Sequence, residues 1–371
     1  MLLIKNAIIY GESKDILIDG QSIIGIGYYD YSKLKESFND SIEIQVIEAN
    51  KNVIPAYIDN HVHIVGGGGE DGFSSRISDI NVDNIVSCGV GTVVGVLGTD
   101  TITKSVKNLV AKTKELNERG ITAYCLTGGY EVPSPTLTGK IIDDIAYINE
   151  IVGTKTAISD HRCYNPTKEE LIRMISETRV AALVGKKPGI VNIHLGYGKG
   201  NMDILFDIIN ETNIPITNLL PTHITKTPDL IDQGIRWNKL GGYCDITVDQ
   251  DLGDVIEKID YMAKRCDSSR ITFSSDSNGS CPIWVDGECK GIRASTMMGL
   301  HEVVRKLVLE YNYSLREATS FLTTNPAKVY KLYRKGEIAV GKDADLLILD
   351  DDYNIETVAI KGKVLQRKRM G

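Results

Sequence analysis

The stretch Pro55-Ala56-Tyr57-Ile58-Asp59-Asn60-His61-Val62-His63-Ile64, followed by Gly66 to Gly69 and Glu70, decides how this chain is read. It is apolar, partly β-branched and ended by glycines, which predicts a β-strand. Side chains two apart on a strand point the same way. His61 and His63 therefore leave one face together, close enough for two imidazoles to hold one cation. Asp59 lies on that face as well and reads as a group that steadies a ligand rather than a ligand itself. The glycines cannot continue the strand, and they let backbone approach a ligand closely. Taken alone, a His-x-His pair is equally a solvated pair before a loop. The rest of the chain has to decide, and it holds only 6 His in 371 residues.

Upstream, residues 1–54 read as short strands at 2–4, 7–10, 15–19, 22–27 and 42–47, punctuated by Gly11, Gly20 and Gly27. Downstream, short apolar runs alternate with helix-like segments, the pattern of a parallel sheet covered by helices. The predicted strands are 56–63, 92–97, 122–127, 155–159, 191–194, 219–223, 243–247 and 271–275. Helices are expected at 104–119, 141–151, 168–184, 202–211 and 252–265. Eight such repeats predict an α/β fold, a (β/α)8 TIM-like barrel over residues 55–325. After a helix from Ser314, strands return at 345–350 and 357–360. Residues 1–54 and 326–371 are expected to join as a small β-sandwich domain built from both chain termini.

Composition sets outer bounds. A formal charge of -7 and an apolar content of 42% describe an ordinary globular chain. They argue against nucleic acid or an anionic membrane as partner. No apolar stretch is long enough to span a bilayer, and the first residues lack the long apolar core of a secretory signal. The seven cysteines are odd in number and form no C-x-x-C pair, as expected of reduced packing thiols in a cytoplasmic protein. The basic tail Arg367-Lys368-Arg369 reads as a solvated terminus.

In a barrel of this kind, catalytic groups sit at the C-terminal ends of the strands. Strand one offers His61 and His63, strand four Lys155, strand five His194, strand six His223 and strand eight Asp276. Four imidazoles and a carboxylate suit zinc or a similar ion, and six groups exceed one tetrahedral site. Two metals sharing a bridging ligand would use them all. An ammonium cannot ligate a cation, and periodicity alone favours Lys155 as a surface residue opening its strand. A buried lysine among cations, however, sheds its proton. Its amine then reacts with carbon dioxide to give a carbamate, an anion with two oxygens. His161 and His301 read as structural.

These residues resemble the amidohydrolase superfamily and, within it, the isoaspartyl dipeptidase (β-aspartyl peptidase) family, from about residue 50 to the C-terminus. The likeness rests on His61-Val62-His63 with Gly66 to Glu70, Leu97-Gly98-Thr99-Asp100, Leu126-Thr127-Gly128-Gly129-Tyr130 and Ser159-Asp160-His161-Arg162. It continues in Leu220-Pro221-Thr222-His223 and Ser274-Ser275-Asp276-Ser277-Asn278-Gly279-Ser280. The resemblance implies hydrolysis of β-aspartyl dipeptides at two metal ions, zinc being expected. His61 and His63 would hold the more buried metal and His194 and His223 the more exposed one. Lys155, carboxylated, would bridge them, and Asp276 would ligate and move the proton. It further implies Glu70 on the substrate amine, Arg162, Ser280 and Thr99 on its α-carboxylate, and Tyr130 on the scissile carbonyl. Where the family has a second carboxylate-binding arginine, this chain has Lys226, which keeps the charge without the planar fork. A homo-oligomer, an octamer by resemblance, is also implied.

Two other readings stay open at this level. One is a different amidohydrolase, acting on N-acyl amino acids or cyclic amides, which would have no use for Glu70. The other is a non-catalytic scaffold of the same fold, against which the complete ligand set argues.

Overall fold

The computed structural model describes residues 1–38, 42–285 and 288–367, without the side chains at 284, 285, 288 and 289. The end of the basic tail, Lys368 and Arg369, and the Cys289 thiol therefore lie outside the described residues.

The chain opens with β1 (Leu2–Ile9), β2 (Glu12–Asp19), β3 (Ser22–Gly27), α1 (Tyr31–Ser37), β4 (Gln45–Glu48) and β5 (Val53–Pro55). Leu2 to Ile4 and Ala7 to Ile9, expected as two strands, are one strand with a register shift between Ile4 and Ala7. There Asn6 takes a positive φ and its N–H turns to Asp15 Oδ1 at 2.8 Å. The barrel follows as β6 (Tyr57–Val62), α2 (Val82–Ser87), β7 (Val90–Gly95), α3 (Val106–Glu118), β8 (Thr122–Gly128), α4 (Ile141–Tyr147), β9 (Ile151–Ile158) and α5 (Lys168–Gly185). It continues through β10 (Ile190–Leu195), α6 (Asp203–Glu211), β11 (Leu219–Thr222), α7 (Pro228–Lys239), β12 (Cys244–Thr247), α8 (Val255–Ala263) and β13 (Ile271–Ser274). A hairpin, β14 (Ser280–Val285) and β15 (Glu288–Ala294), precedes α9 (Met298–Leu309), α10 (Leu315–Ser320) and α11 (Thr324–Val329). The strands β16 (Leu346–Leu349), β17 (Ile355–Ile360) and β18 (Lys363–Arg367) follow.

Strands β6 to β13 form one eight-stranded sheet in sequential order, each pair parallel. Most of their residues are buried on both faces, as covered parallel strands require. Ile58, Val94, Leu126, Val152, Ile190 and Leu220 fill the cylinder's lower interior against Tyr330. Between strands and helices, Val93, Val191 and Ile193 pack with Leu109, Ile175 and Leu230. Helix starts are fixed chemically: Thr167 and Glu170 cap α5 reciprocally, and Thr227 caps α7 with Pro228 in its first turn.

Among the described residues, backbone hydrogen bonds join the first and last strands at the upper rim. His63 N–H donates to Ser277 O (2.9 Å), Asp276 N–H donates to His61 O (3.1 Å), and Val62 bridges Ser277. Backbone of candidate ligands thus closes the cylinder.

Two four-stranded sheets flank it, β3-β2-β1-β4 and β18-β17-β16-β5. Leu2, Ile4, Ile16 and Ile18 of the first share a core with Val53, Leu346, Ile348 and Ala359 of the second. This is the sandwich built from both ends of the chain.

Several boundaries move, three of them for reasons the pairing makes plain. The strand expected to open at Lys155 begins at Ile151, because Ile151 pairs with Cys125 and Gly153 with Ile190. That ladder takes Ile151 away from the helix expected to reach it, and α4 stops at Tyr147. Lys155 therefore sits mid-strand and fully buried, not on the surface. The strand expected at 42–47 is Gln45–Glu48, set by parallel pairing with β1. The β14–β15 hairpin was not anticipated; Pro282 interrupts its apolar pattern.

Candidate metal centre and active site

The barrel's upper rim gathers most of the expected residues. His61 is the penultimate residue of β6, and the His61 and His63 ring centroids lie 5.6 Å apart. Asp276 follows β13 and places Oδ1 3.0 Å from His63 Nε2 and 3.4 Å from His61 Nε2. His223 follows β11, its ring 5.3 Å from that of His61 and 4.5 Å from that of His194. Among the described residues, His61, His223 and Asp276 offer ligand atoms all within 4.8 Å of one another. Lys155 Nζ lies 3.4 Å from His61 Nε2 and donates to Asn192 Oδ1 at 3.0 Å.

Local backbone helps to aim these groups. His223 and Asp276 both take left-handed conformations, φ 67° and 53°, as their strands turn into loops. His63 is held between two glycines. A Cβ on Gly98 would lie 2.9 Å from its Cε1, and one on Gly279 would lie 2.9 Å from its Cδ2. Neither position has room for a larger residue.

The electrostatics match a cation site. Burial holds His61, His194 and His223 well below the usual imidazole range, so these rings are neutral. Burial opposes ionisation of Asp276 too. The hydrogen bond from His63 outweighs that and keeps it a carboxylate. Lone pairs of neutral imidazoles converging on a carboxylate oxygen repel unless a cation lies among them. His223 Nε2 is buried with no hydrogen-bond partner among the described residues, a further lone pair awaiting one. The donor set, imidazole nitrogen with carboxylate oxygen, suits a divalent metal.

His194 stands partly apart. Its Nε2 lies 2.8 Å from Asp160 Oδ2 and 3.4 Å from Lys226 Nζ, so its Nδ1 is the nitrogen left for a metal. Asp160, which the sequence offers only as part of the Ser159-Asp160-His161-Arg162 motif, is a hub. It takes Arg162 Nε and Nη2 at 2.9 and 2.8 Å as well as His194. Asn192 and Thr247, which contacts His223 Nδ1, were also missed. Asn192 precedes His194 by two on β10, so period-two reading of that strand was the available signal.

Beside the imidazoles lies a polar wall. Arg162 Nη1 donates to Glu70 Oε1 (3.1 Å), and Ser280 Oγ donates to the same oxygen (2.6 Å). Tyr130 is buried, its ring 4.8 Å from that of His194 and 5.8 Å from the Arg162 guanidinium. Burial raises its pKa, so the phenol remains a donor. Lys226 lies beside this wall: Nζ donates to Leu195 O at 2.7 Å, Asp276, Arg162 and Asp160 are its charged neighbours, and burial lowers its pKa to about 8. Thr99 follows Gly98, and among the described residues its side chain has no hydrogen-bond partner. Asp59 accepts from Ser275 and from His61 N–H, His161 is exposed, and His301 joins Tyr57 Oη to Tyr353 O.

The sequence model of the amidohydrolase family matches residues 52–365. The chain belongs to the amidohydrolase family. This amidohydrolase is 38% identical to the β-aspartyl dipeptidase of Fervidobacterium islandicum AW-1, solved in complex with a β-Asp-Leu dipeptide. The TM-score is 0.91, over 100% of this chain and 98% of that one. It shares the fold alone with the N-acetylglucosamine-6-phosphate deacetylase of Pasteurella multocida, at TM-score 0.66 and 16% identity over 99% and 100% of the two chains. Among curated relatives, the adenine deaminase of Clostridium acetobutylicum is 24% identical over 370 residues, 95% of this chain. The chain spans about half the length of that relative, 54%. No described helix is long and apolar enough to cross a membrane.

Proposed function

We propose that this amidohydrolase cleaves the β-aspartyl isopeptide bond of dipeptides, releasing aspartate and an amino acid. The observation that carries the reading is the placement of a carboxylate, Glu70, and a guanidinium, Arg162, beside the imidazole cluster. A β-aspartyl dipeptide has a free α-amine and free α-carboxylates near its scissile amide, and needs both charges met. Likeness to the Fervidobacterium β-aspartyl dipeptidase over the whole chain supports it.

In this reading His61 and His63 would hold one divalent ion, and His194 and His223 a second. Asp276 would reach the first, and Lys155, as its carbamate, would bridge the two. Zinc is among the metals that imidazole and carboxylate donors suit, and it is the one proposed here. When bound, the ions would polarise the amide carbonyl and lower the pKa of an attacking water. Asp276 accepts the proton of that water and returns it to the leaving nitrogen. Tyr130 donates its phenolic hydrogen to the carbonyl oxygen as negative charge builds there. Glu70 binds the α-ammonium. Arg162, with Ser280, Thr99 and Lys226 nearby, binds the α-carboxylate.

We further read residues 55–325 as the catalytic unit and 1–54 with 326–371 as its β-sandwich companion. The described cysteine side chains are all free thiols, which supports a cytoplasmic setting. A homo-oligomer is part of the same proposal. The test is hydrolysis of β-Asp-Leu against α-Asp-Leu, before and after chelation. Selective turnover of the β-linked peptide, lost on chelation and restored by zinc, is expected. Equal turnover of both peptides would overturn the substrate assignment.

A further inference from the structure

Asn192 has no place in the roles above, yet it is the side chain that holds Lys155. The two residues are direct partners in the β9–β10 ladder, and both are fully buried inside the barrel. Lys155 Nζ donates to Asn192 Oδ1 at 3.0 Å. The other end of the amide, Asn192 Nδ2, is buried without a partner at full hydrogen-bond geometry among the described residues, and the amide reaches His61 and Tyr330 only through looser polar contacts. A buried donor left unpaired is costly. Lys155 cannot relieve it as an ammonium, which has no acceptor.

We propose that Asn192 is the positioning residue for the carbamate of Lys155, an inference that rests on the two-metal reading above. The step balances simply. The Nζ lone pair forms a C–N bond to carbon dioxide, one C=O π pair moves onto oxygen, and one N–H proton leaves to solvent. The product keeps a single N–H and gains two oxygens. In any carbamate one oxygen lies on the same side as the N–H. The Asn192 amide presents the complementary pair. Oδ1 accepts the retained N–H, as it already accepts from the amine, and Nδ2 donates to the oxygen beside it. That oxygen keeps a second lone pair, and the other oxygen is untouched, so both remain able to face a cation. A side chain of the same shape without the amide would leave the carbamate free to rotate about Cε–Nζ.

The test loads the enzyme with zinc and 13C-labelled bicarbonate. It reads the carbamate carbon by 13C NMR, zinc per chain by atomic emission, and the bicarbonate concentration at half-maximal zinc retention. The variants are Asn192→Leu, which keeps volume and loses both hydrogen-bonding groups, and Asn192→Asp, which keeps shape and acceptor but loses the donor. Circular dichroism and thermal melting confirm that each is folded. We expect Asn192→Leu to lose most of the carbamate resonance and to need about tenfold more bicarbonate. Asn192→Asp should be impaired as well, and it carries the test if the leucine variant does not fold. A full resonance and unchanged bicarbonate dependence in the folded variants overturn the inference while leaving the two-metal reading intact. Absence of the resonance from the unaltered, zinc-loaded enzyme overturns both.

Discussion

Arg162 Nη1 donates to Glu70 Oε1 across 3.1 Å, tying the loop after the first barrel strand to the loop after the fourth. The opposite edge of the same guanidinium, Nε with Nη2, is already committed to Asp160. Only the Glu70 side of Arg162 is therefore exchangeable. A substrate with an ammonium and a carboxylate can replace this internal pair with two external ones, each residue trading its partner for the matching end of the ligand. Asp160 stays behind to keep the guanidinium in place.

Glu70→Gln removes the charge and keeps the shape. Charge-assisted hydrogen bonds contribute about 1.5–3 kcal/mol. We expect kcat/KM for β-Asp-Leu to fall by roughly tenfold to a hundredfold, with zinc content unchanged. Steady-state kinetics beside metal analysis checks it; unaltered turnover would remove Glu70 from substrate recognition.

Gly98→Ala should act through His63. The new Cβ would lie 2.9 Å from His63 Cε1, closer than real side chains approach. The ring must move and His63 Nε2 with it. Displacing one ligand should weaken metal binding by about tenfold to a hundredfold, measured by competition with a coloured chelator. Equal affinity would mean that His63 is not a ligand.

Lys155 makes the metal-stripped protein sensitive to pH. Burial, reinforced by Lys226 and partly offset by Asp276, lowers its pKa from 10.5 to about 7. Between those values the unfolded chain binds a proton that the folded chain does not. Stability therefore rises with pH across this window, and the full penalty applies below about pH 7. Its upper bound is roughly 5 kcal/mol. Urea unfolding of chelator-treated protein at pH 7 and pH 10 should show that gain, and Lys155→Met should abolish most of it.

Lys104 should matter without touching substrate. It is buried, and Nζ donates to Val65 O and, at 2.9 Å, to Ile77 O, the two ends of the loop that carries Glu70. Lys104→Met leaves both carbonyls short of a donor. We expect KM for the dipeptide to rise by about tenfold and kcat to change much less. A fall in kcat alone would contradict this role.

The cylinder was legible because its strands are short apolar runs separated by helical segments, and Pro55 to Glu70 could be placed at a strand end from its glycines. The metal-ligand candidates were legible because few histidines exist and most end strands. Lys155 was the instructive error in placement. Its strand extends back to Ile151 through Thr154 and Gly153, residues whose conformation is dictated by the ladders on either side rather than by their own preferences. The roles of Asp160 as a hub and Asn192 as the lysine's partner depend on which strands become neighbours. No spacing along one segment encodes that.

The rim contact between β6 and β13 has a wider effect than its length suggests. The same short segments supply His61, His63 and Asp276 and also fasten the cylinder's first stave to its last. On the proposed two-metal reading, loading with metal and sealing the fold would be one cooperative event. Chelation should loosen the seam itself, so amide exchange at His63 and Asp276 should quicken before the sandwich or the outer helices respond.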